Sequence, residues 1–227
     1  MRTRVVATIV VAVLGVSAVA GAAVFNAVTA NEFDPGDMHL VQGTWLEGIG
    51  CPTDAFITPF DEDAPGGVGE PEPYEDPACA TGDPRDRRIE GLLLVKTGPT
   101  ENFASATAEL RGVKGMVVTE VGYDIRKPIA PFDLRGSHCG GGAPRFNLFT
   151  ETGVVFVGCN SVPPPSEIVV GNGWTRLRWE VPPTPVERIQ IVFDEGQDTG
   201  PDNFGLAVLD NITVNEEMVG QGNVDAD

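Results

Sequence analysis

The clearest pattern in the chain lies between residues 189 and 214, where two apolar strand-like runs flank an acidic loop. In the second run, alternation places Phe204, Leu206, Val208, Ile212 and Val214 on one face. Asp210 falls in that same inward series. A carboxylate among core residues is costly unless hydrogen-bonded or holding a cation, so this register predicts a partner for Asp210.

Short strand signals recur upstream. Residues 92–95 are a compact run, Leu-Leu-Leu-Val, with the look of a strand buried on both faces. Residues 104–110 are ambiguous between a strand and a short helix. Residues 116–125 alternate, with Val117, Val121, Tyr123 and Ile125 on one face. Residues 145–149 and 154–157 form a hairpin around Glu151-Thr152-Gly153. From 174 to 181, Leu177, Trp179 and Val181 face one way and Trp174, Arg176 and Arg178 the other. About nine short strands, turn residues between them and no long helix predict an all-β, jelly-roll-type antiparallel β-sandwich.

Other stretches break the pattern. Residues 51–88 are rich in Pro, Gly and acids and carry almost nothing to bury, so they read as a long surface loop. Its acids Asp61, Glu62, Asp63, Glu70, Glu72, Glu75 and Asp76 read as a solvated face. Residues 217–227 read as a polar, frayed tail. There is no internal repeat, and 31–216 is expected to be one domain.

The N-terminus supplies a compartment. Arg2 and Arg4 precede an uncharged stretch reaching Ala30, with small-residue cleavage patterns ending at Ala20, Ala22 and Ala30. This is the form of a secretory signal peptide, placed at 1–30, with an uncleaved membrane anchor as the alternative. Removing it leaves 13 basic against 33 acidic residues, a net charge of −20. Such a surface repels nucleic acid and anionic lipid, so neither is an expected partner; after cleavage no membrane association is expected.

Four cysteines, Cys51, Cys79, Cys139 and Cys159, are an even number in an exported chain and point to two disulfides. Three connectivities are open; pairing sequence neighbours is the simplest. Their spacing matches no CxxC zinc site.

The strand from Phe204 to Val214, with Asp210-Asn211-Ile212, resembles the last strand of jelly-roll modules in the galactose-binding-like and carbohydrate-binding superfamily. The resemblance implies a jelly roll in which this aspartate helps hold a structural calcium. The middle of the chain, Ser137 to Asn147 and Val157 to Asn160, resembles that of secreted bacterial proteins with the same ending.

Candidate chemistry follows. Asp194, Glu195, Asp198, Asp202 and Asp210 could supply carboxylates to calcium, although their spacing is not that of an EF-hand. The alternative is an acidic loop with Asp210 capped by backbone amides. Trp174 beside Arg176 and Arg178, if exposed, could stack on a sugar ring and bind hydroxyls, with Trp45 and Tyr123 as further aromatics. The alternative is that Trp174 plugs one end of the sandwich. Hydrolysis finds little support: only His39 and His138 are present, no G-x-S-x-G elbow follows the signal region, and Gly140-Gly141-Gly142 lacks the rest of a phosphate loop. The sequon Asn211-Ile212-Thr213 sits in a chain with a bacterial-looking leader, so its use is not expected. The expected function is therefore a secreted, non-catalytic binding module for extracellular or cell-surface carbohydrate, possessing a structural calcium in one version. A structural or protein-interaction domain is the rival, and an enzyme trails both. Oligomeric state is left open.

Overall fold

The computed structural model describes residues 24–38, 40–97, 104–127, 143–168, 173–194 and 205–222. Expectations that fall on His39, His138, Cys139, the glycines at 140–142, Glu195, Asp198, Asp202 and Phe204 lie outside these. The strands, in chain order, are β1 (Ala27–Phe33), β2 (Val41–Leu46), β3 (Phe56–Ile57), β4 (Glu72–Pro73), β5 (Gly91–Lys96), β6 (Ser105–Arg111) and β7 (Val117–Arg126). There follow β8 (Arg145–Thr150), β9 (Gly153–Val157), β10 (Ser166–Ile168), β11 (Thr175–Pro185), β12 (Arg188–Phe193), β13 (Gly205–Val214) and β14 (Glu217–Val219). Among the described residues no helix is long and apolar enough to cross a membrane.

The strands build an antiparallel sandwich, as expected. One sheet has the order β1-β6-β12-β8-β9; the other runs β10-β11-β7-β13-β5-β2, with β14 paired to β13. The chain repeatedly crosses between sheets, so neighbouring strands are mostly distant in sequence. Alternation drives one face of each sheet into the shared core, where Leu94, Ala106, Leu148, Ile191 and Leu209 meet. At its centre Tyr123 stacks near Phe146 at 5.5 Å between centroids, and Trp179 stands edge-on to Tyr123 at 5.2 Å. The ambiguous 104–110 segment is a strand, because its small side chains fit between β1 and β12.

The seven-stranded sheet also has a covered outer face. Leu92 and Leu94 enter the inter-sheet core while Leu93 packs outward beneath the 51–88 segment, so this strand is buried on both sides as its composition suggests. The segment 51–88 is stapled by Cys51–Cys79 and includes the short β3–β4 hairpin. Far from burying almost nothing, it contributes Cys51, Ala78 and Cys79 to a second apolar cluster with Trp174 and Val208.

Two boundaries and one strand face differ from expectation. The start of the domain is not at residue 31: Phe25 and Val28 are core residues, and Ala27–Phe33 pairs with β6. The expected tail begins with a strand, because a two-residue turn at Asn215-Glu216 returns the chain as β14 and buries Val219. Val118, rather than Val117, enters the core; β7 meets a register shift in β11 between Glu180 and Thr184, close to this point.

Candidate functional site

The site begins with a bulge. In β13, Asp210 is opposite Asp124 of β7, yet Thr213 is opposite Gly122, so β13 carries one extra residue. Asn211 absorbs it in the left-handed region at φ +46°, a conformation asparagine tolerates better than most residues. The bulge reverses the side-chain alternation. Ala207 and Leu209 point into the inter-sheet core before it, and Ile212 and Val214 do so after it. Leu206 and Val208 instead face the 51–88 segment. The single inward series read from the sequence is therefore two series joined at Asn211. Asp210 is buried as expected, but beneath the loop rather than between the sheets.

Asp210 has the partners its burial demands. Its carboxylate accepts the backbone N–H of Cys51 at 2.6 Å and that of Asn211. Burial pushes its pKa well above the usual carboxylate range; the two amide bonds oppose the shift, and the nearby Asp86 and Asp124 carboxylates reinforce it. Gly220 closes the other side, where an added Cβ would lie 2.8 Å from Asp210 Oδ1 and 3.0 Å from Asn211 Oδ1.

Polar bonds extend from this point across the sheet. Asn211 accepts the Asp83 N–H at 2.9 Å through Oδ1 and donates Nδ2 to Asp124 Oδ2 at 2.9 Å. Asp124 is fully buried and receives Arg176 in a fork, Nε on Oδ1 and Nη2 on Oδ2, both at 2.8 Å. Arg176 also donates to the Thr81 hydroxyl and carbonyl, so it ties the loop to β7 and β11. Arg178 adds a longer contact to Asp124 at 3.4 Å; burial lowers its pKa to about 10. Burial would raise Asp83, but hydrogen bonds from the Arg85 side chain and backbone and from Gly220, with the Arg85 charge, hold it below its ordinary value. The loop is thus fastened by one disulfide and a continuous network of carboxylates, guanidiniums and amides.

This arrangement corrects the expected sugar face. Trp174, Arg176 and Arg178 do lie opposite Trp179, yet Trp174 is only 1% exposed because the disulfide and Ala78 cover it. Its backbone N–H is bonded to buried Asp76. Asp76 thereby leaves the solvated group in which the sequence placed it. Tyr123 is buried too, donating its hydroxyl to the Pro144 carbonyl at 2.7 Å. Trp45 is half-buried and donates Nε1 to the Val28 carbonyl at 3.0 Å. The two arginines are committed to Asp124 and its surroundings.

Of the expected calcium ligands, Asp194 and Asp210 lie among the described residues, and each has protein partners. Asp194 takes Arg145 in a fork at 2.6 and 2.7 Å. Among the described residues, no group of three His, Cys, Asp or Glu side chains converges as a metal site would require. Asn211 of the sequon is buried with its amide engaged, so the folded domain does not offer it for glycosylation. Cys159 is disulfide-bonded, and no described cysteine is free.

What the sequence reading missed is the tip of the loop. Phe56, Ile57, Phe60 and Val68 are exposed there, Phe60 at 82%. The tip is organised: Phe60 bridges to Val68, Gly69 N–H donates to the Pro59 carbonyl and Tyr74 N–H to the Ala55 carbonyl. In the same segment Asp61, Glu62, Asp63, Glu70, Glu72 and Glu75 are exposed as well. The signal was available in Phe56-Ile57-Thr58-Pro59-Phe60, an apolar run inside a stretch with nothing local to bury it.

No protein-family model matches the chain, and no curated protein is significantly similar to it. Among solved structures, one similar chain is the enzymatically active domain of tailspike protein 4 of bacteriophage CBA120. It is 12% identical with a TM-score of 0.33, and the alignment covers 82% of this chain but only 20% of that one. A likeness of that degree carries no argument about function.

Proposed function

We propose that this protein is an exported interaction module that uses the 51–88 lobe to engage a basic protein surface. The observation that carries this reading is the exposed group Phe56, Ile57, Phe60 and Val68 in an acidic lobe that is closed on itself by a disulfide and fixed to the sandwich by a buried polar network. Contiguous exposed apolar groups with a polar rim are the usual form of a binding surface. Holding the lobe rigid before binding lowers the ordering cost of association. The acidic rim steers a cationic partner toward it and selects against anionic ones. The burial of Trp174 and Tyr123 supports this reading over a sugar-stacking face.

Secretion belongs to the same proposal, supported by the disulfide and the leader-like N-terminus. The test is an affinity comparison of wild type with Phe56→Ser and Phe60→Ser. Each is immobilised and challenged with the producing organism's exported proteins and with a panel of insoluble polysaccharides. Retention of a basic protein, weakened by salt and lost in both variants, is the expected result. Retention on a polysaccharide that survives Phe60→Ser would overturn the proposal and restore the carbohydrate reading.

A further inference from the structure

Among the described residues the five-stranded sheet ends in β9, Gly153–Val157, which there pairs only with β8, through a two-residue turn at Glu151-Thr152. Three consecutive side chains of this edge are exposed, Val154 at 39%, Val155 at 42% and Phe156 at 63%. The sequence Gly-Val-Val-Phe-Val has no charge, no proline and no bulge, the devices that normally blunt an edge. The other edges are defended. On β1, Glu32 sits near the free side, and Val28 bridges to Gly222. That same Glu32 carboxylate accepts the Gly43 N–H of β2, at the edge of the other sheet. The remaining edge, β10, is three residues long and follows Pro163, Pro164 and Pro165.

We infer that β9 is a self-association edge, pairing antiparallel with β9 of a second copy to join two five-stranded sheets across a two-fold axis. Charge selects the occupant. The chain carries a net charge of −18, so most surfaces of two copies would bring acids together. An uncharged strand placed against itself avoids that repulsion. Centring the axis on Val155 sets Val154 of each copy opposite Phe156 of the other, an apolar cross-strand pair of the favourable kind. It also sets Glu151 opposite Cys159, so no like charges face each other along the pairing. Antiparallel self-pairing is isologous and closes, which gives a dimer rather than a filament. This edge is separate from the 51–88 lobe, and its test does not depend on that lobe's partner.

The experiment is sedimentation equilibrium of the folded protein over a micromolar-to-millimolar series, with Val155→Lys and Phe156→Lys alongside. A concentration-dependent dimer in wild type, abolished in both variants with unchanged circular dichroism, is the expected result. A wild type that stays monomeric throughout, or a dimer that persists in the lysine variants, overturns it. If a lysine variant does not fold, Val155→Cys decides. Residues opposite each other across the axis have Cβ atoms about 4.5–5.5 Å apart. Mild oxidation should then give a disulfide-linked dimer, and a product that remains monomeric overturns the proposal.

Discussion

Arg176 meets Asp124 edge-on, two parallel hydrogen bonds of 2.8 Å joining the guanidinium of β11 to a fully buried carboxylate on β7. Removing one partner of such a pair leaves the other charge buried without its bidentate partner, at a cost of about 3–5 kcal/mol. Asp124→Asn and Arg176→Met are each expected to lower stability by that order. The double variant is expected to lose much less than the sum. A double-mutant cycle by urea unfolding checks this, and additive losses would show that the two residues are not coupled.

Asp210 gives the fold a pH dependence of known sign. Burial raises its folded pKa above the unfolded value, as it also does for Asp76 and Asp86. A raised pKa contributes stability that is complete below the unfolded value, about 3.9 for aspartate, and is lost as pH rises through the folded one. Asp83 has the opposite shift, and its contribution is lost only as pH falls below the ordinary carboxylate range. From mildly acidic to neutral pH the urea midpoint of the wild type should therefore fall. Asp210→Asn removes one of these contributions and should flatten the profile. Parallel profiles for the two proteins would remove Asp210 from the account.

The Cys51–Cys79 bridge closes a sequence separation of 28 residues, for which chain-entropy reasoning gives about 3–4 kcal/mol. Cys51→Ser/Cys79→Ser should lower Tm accordingly and raise amide exchange in 51–88 first. Exchange that rises evenly over the whole sandwich would show that the loop is not a separately fastened unit.

The mature N-terminus is expected upstream of Phe25. Cleavage after Ala30 would remove Phe25 and Val28 from the core and more than half of β1. Losing a buried phenylalanine side chain alone costs about 3–5 kcal/mol. Cleavage after Ala20 or Ala22 leaves the strand whole. If the leader is cleaved as proposed, sequencing the mature protein from its N-terminus should find Gly21 or Ala23 first; Asn31 first would mean the domain folds without the start of β1.

The sandwich was legible because period-two alternation survives wherever a strand has one wet or loop-covered face, as along Leu177, Trp179 and Val181. Asp210's need for a partner was legible from burial cost alone, even though the face assigned to it was wrong. The alternation argument assumes a regular strand, and nothing local announces that Asn211 will adopt a left-handed conformation. The covered Trp174 was missed for a related reason. Whether a sheet's outer face is wet depends on where a distant segment folds back. Asp83 reaches β13, and Thr81 and Cys79 reach β11 and the adjoining Trp174, through contacts nearly a hundred or more positions away in sequence. Residues 51–88 looked solvated because their buried groups are acids, small residues and cysteines rather than large aliphatics. The same composition hid the exposed Phe56 and Phe60, since a few aromatics in an acidic loop have no period to read.

The most direct test of the account is hydroxyl-radical footprinting of the native protein, read residue by residue by mass spectrometry. It reports Trp174 beneath the loop and Phe60 on its tip in one experiment. The account requires Trp174 to be spared until the protein unfolds, while Phe60 is oxidised at nearly the rate of a free peptide. Rapid oxidation of Trp174 in the folded state would contradict it. That result would mean that the 51–88 segment does not cover the seven-stranded sheet and that the aromatic and its two arginines face solvent after all.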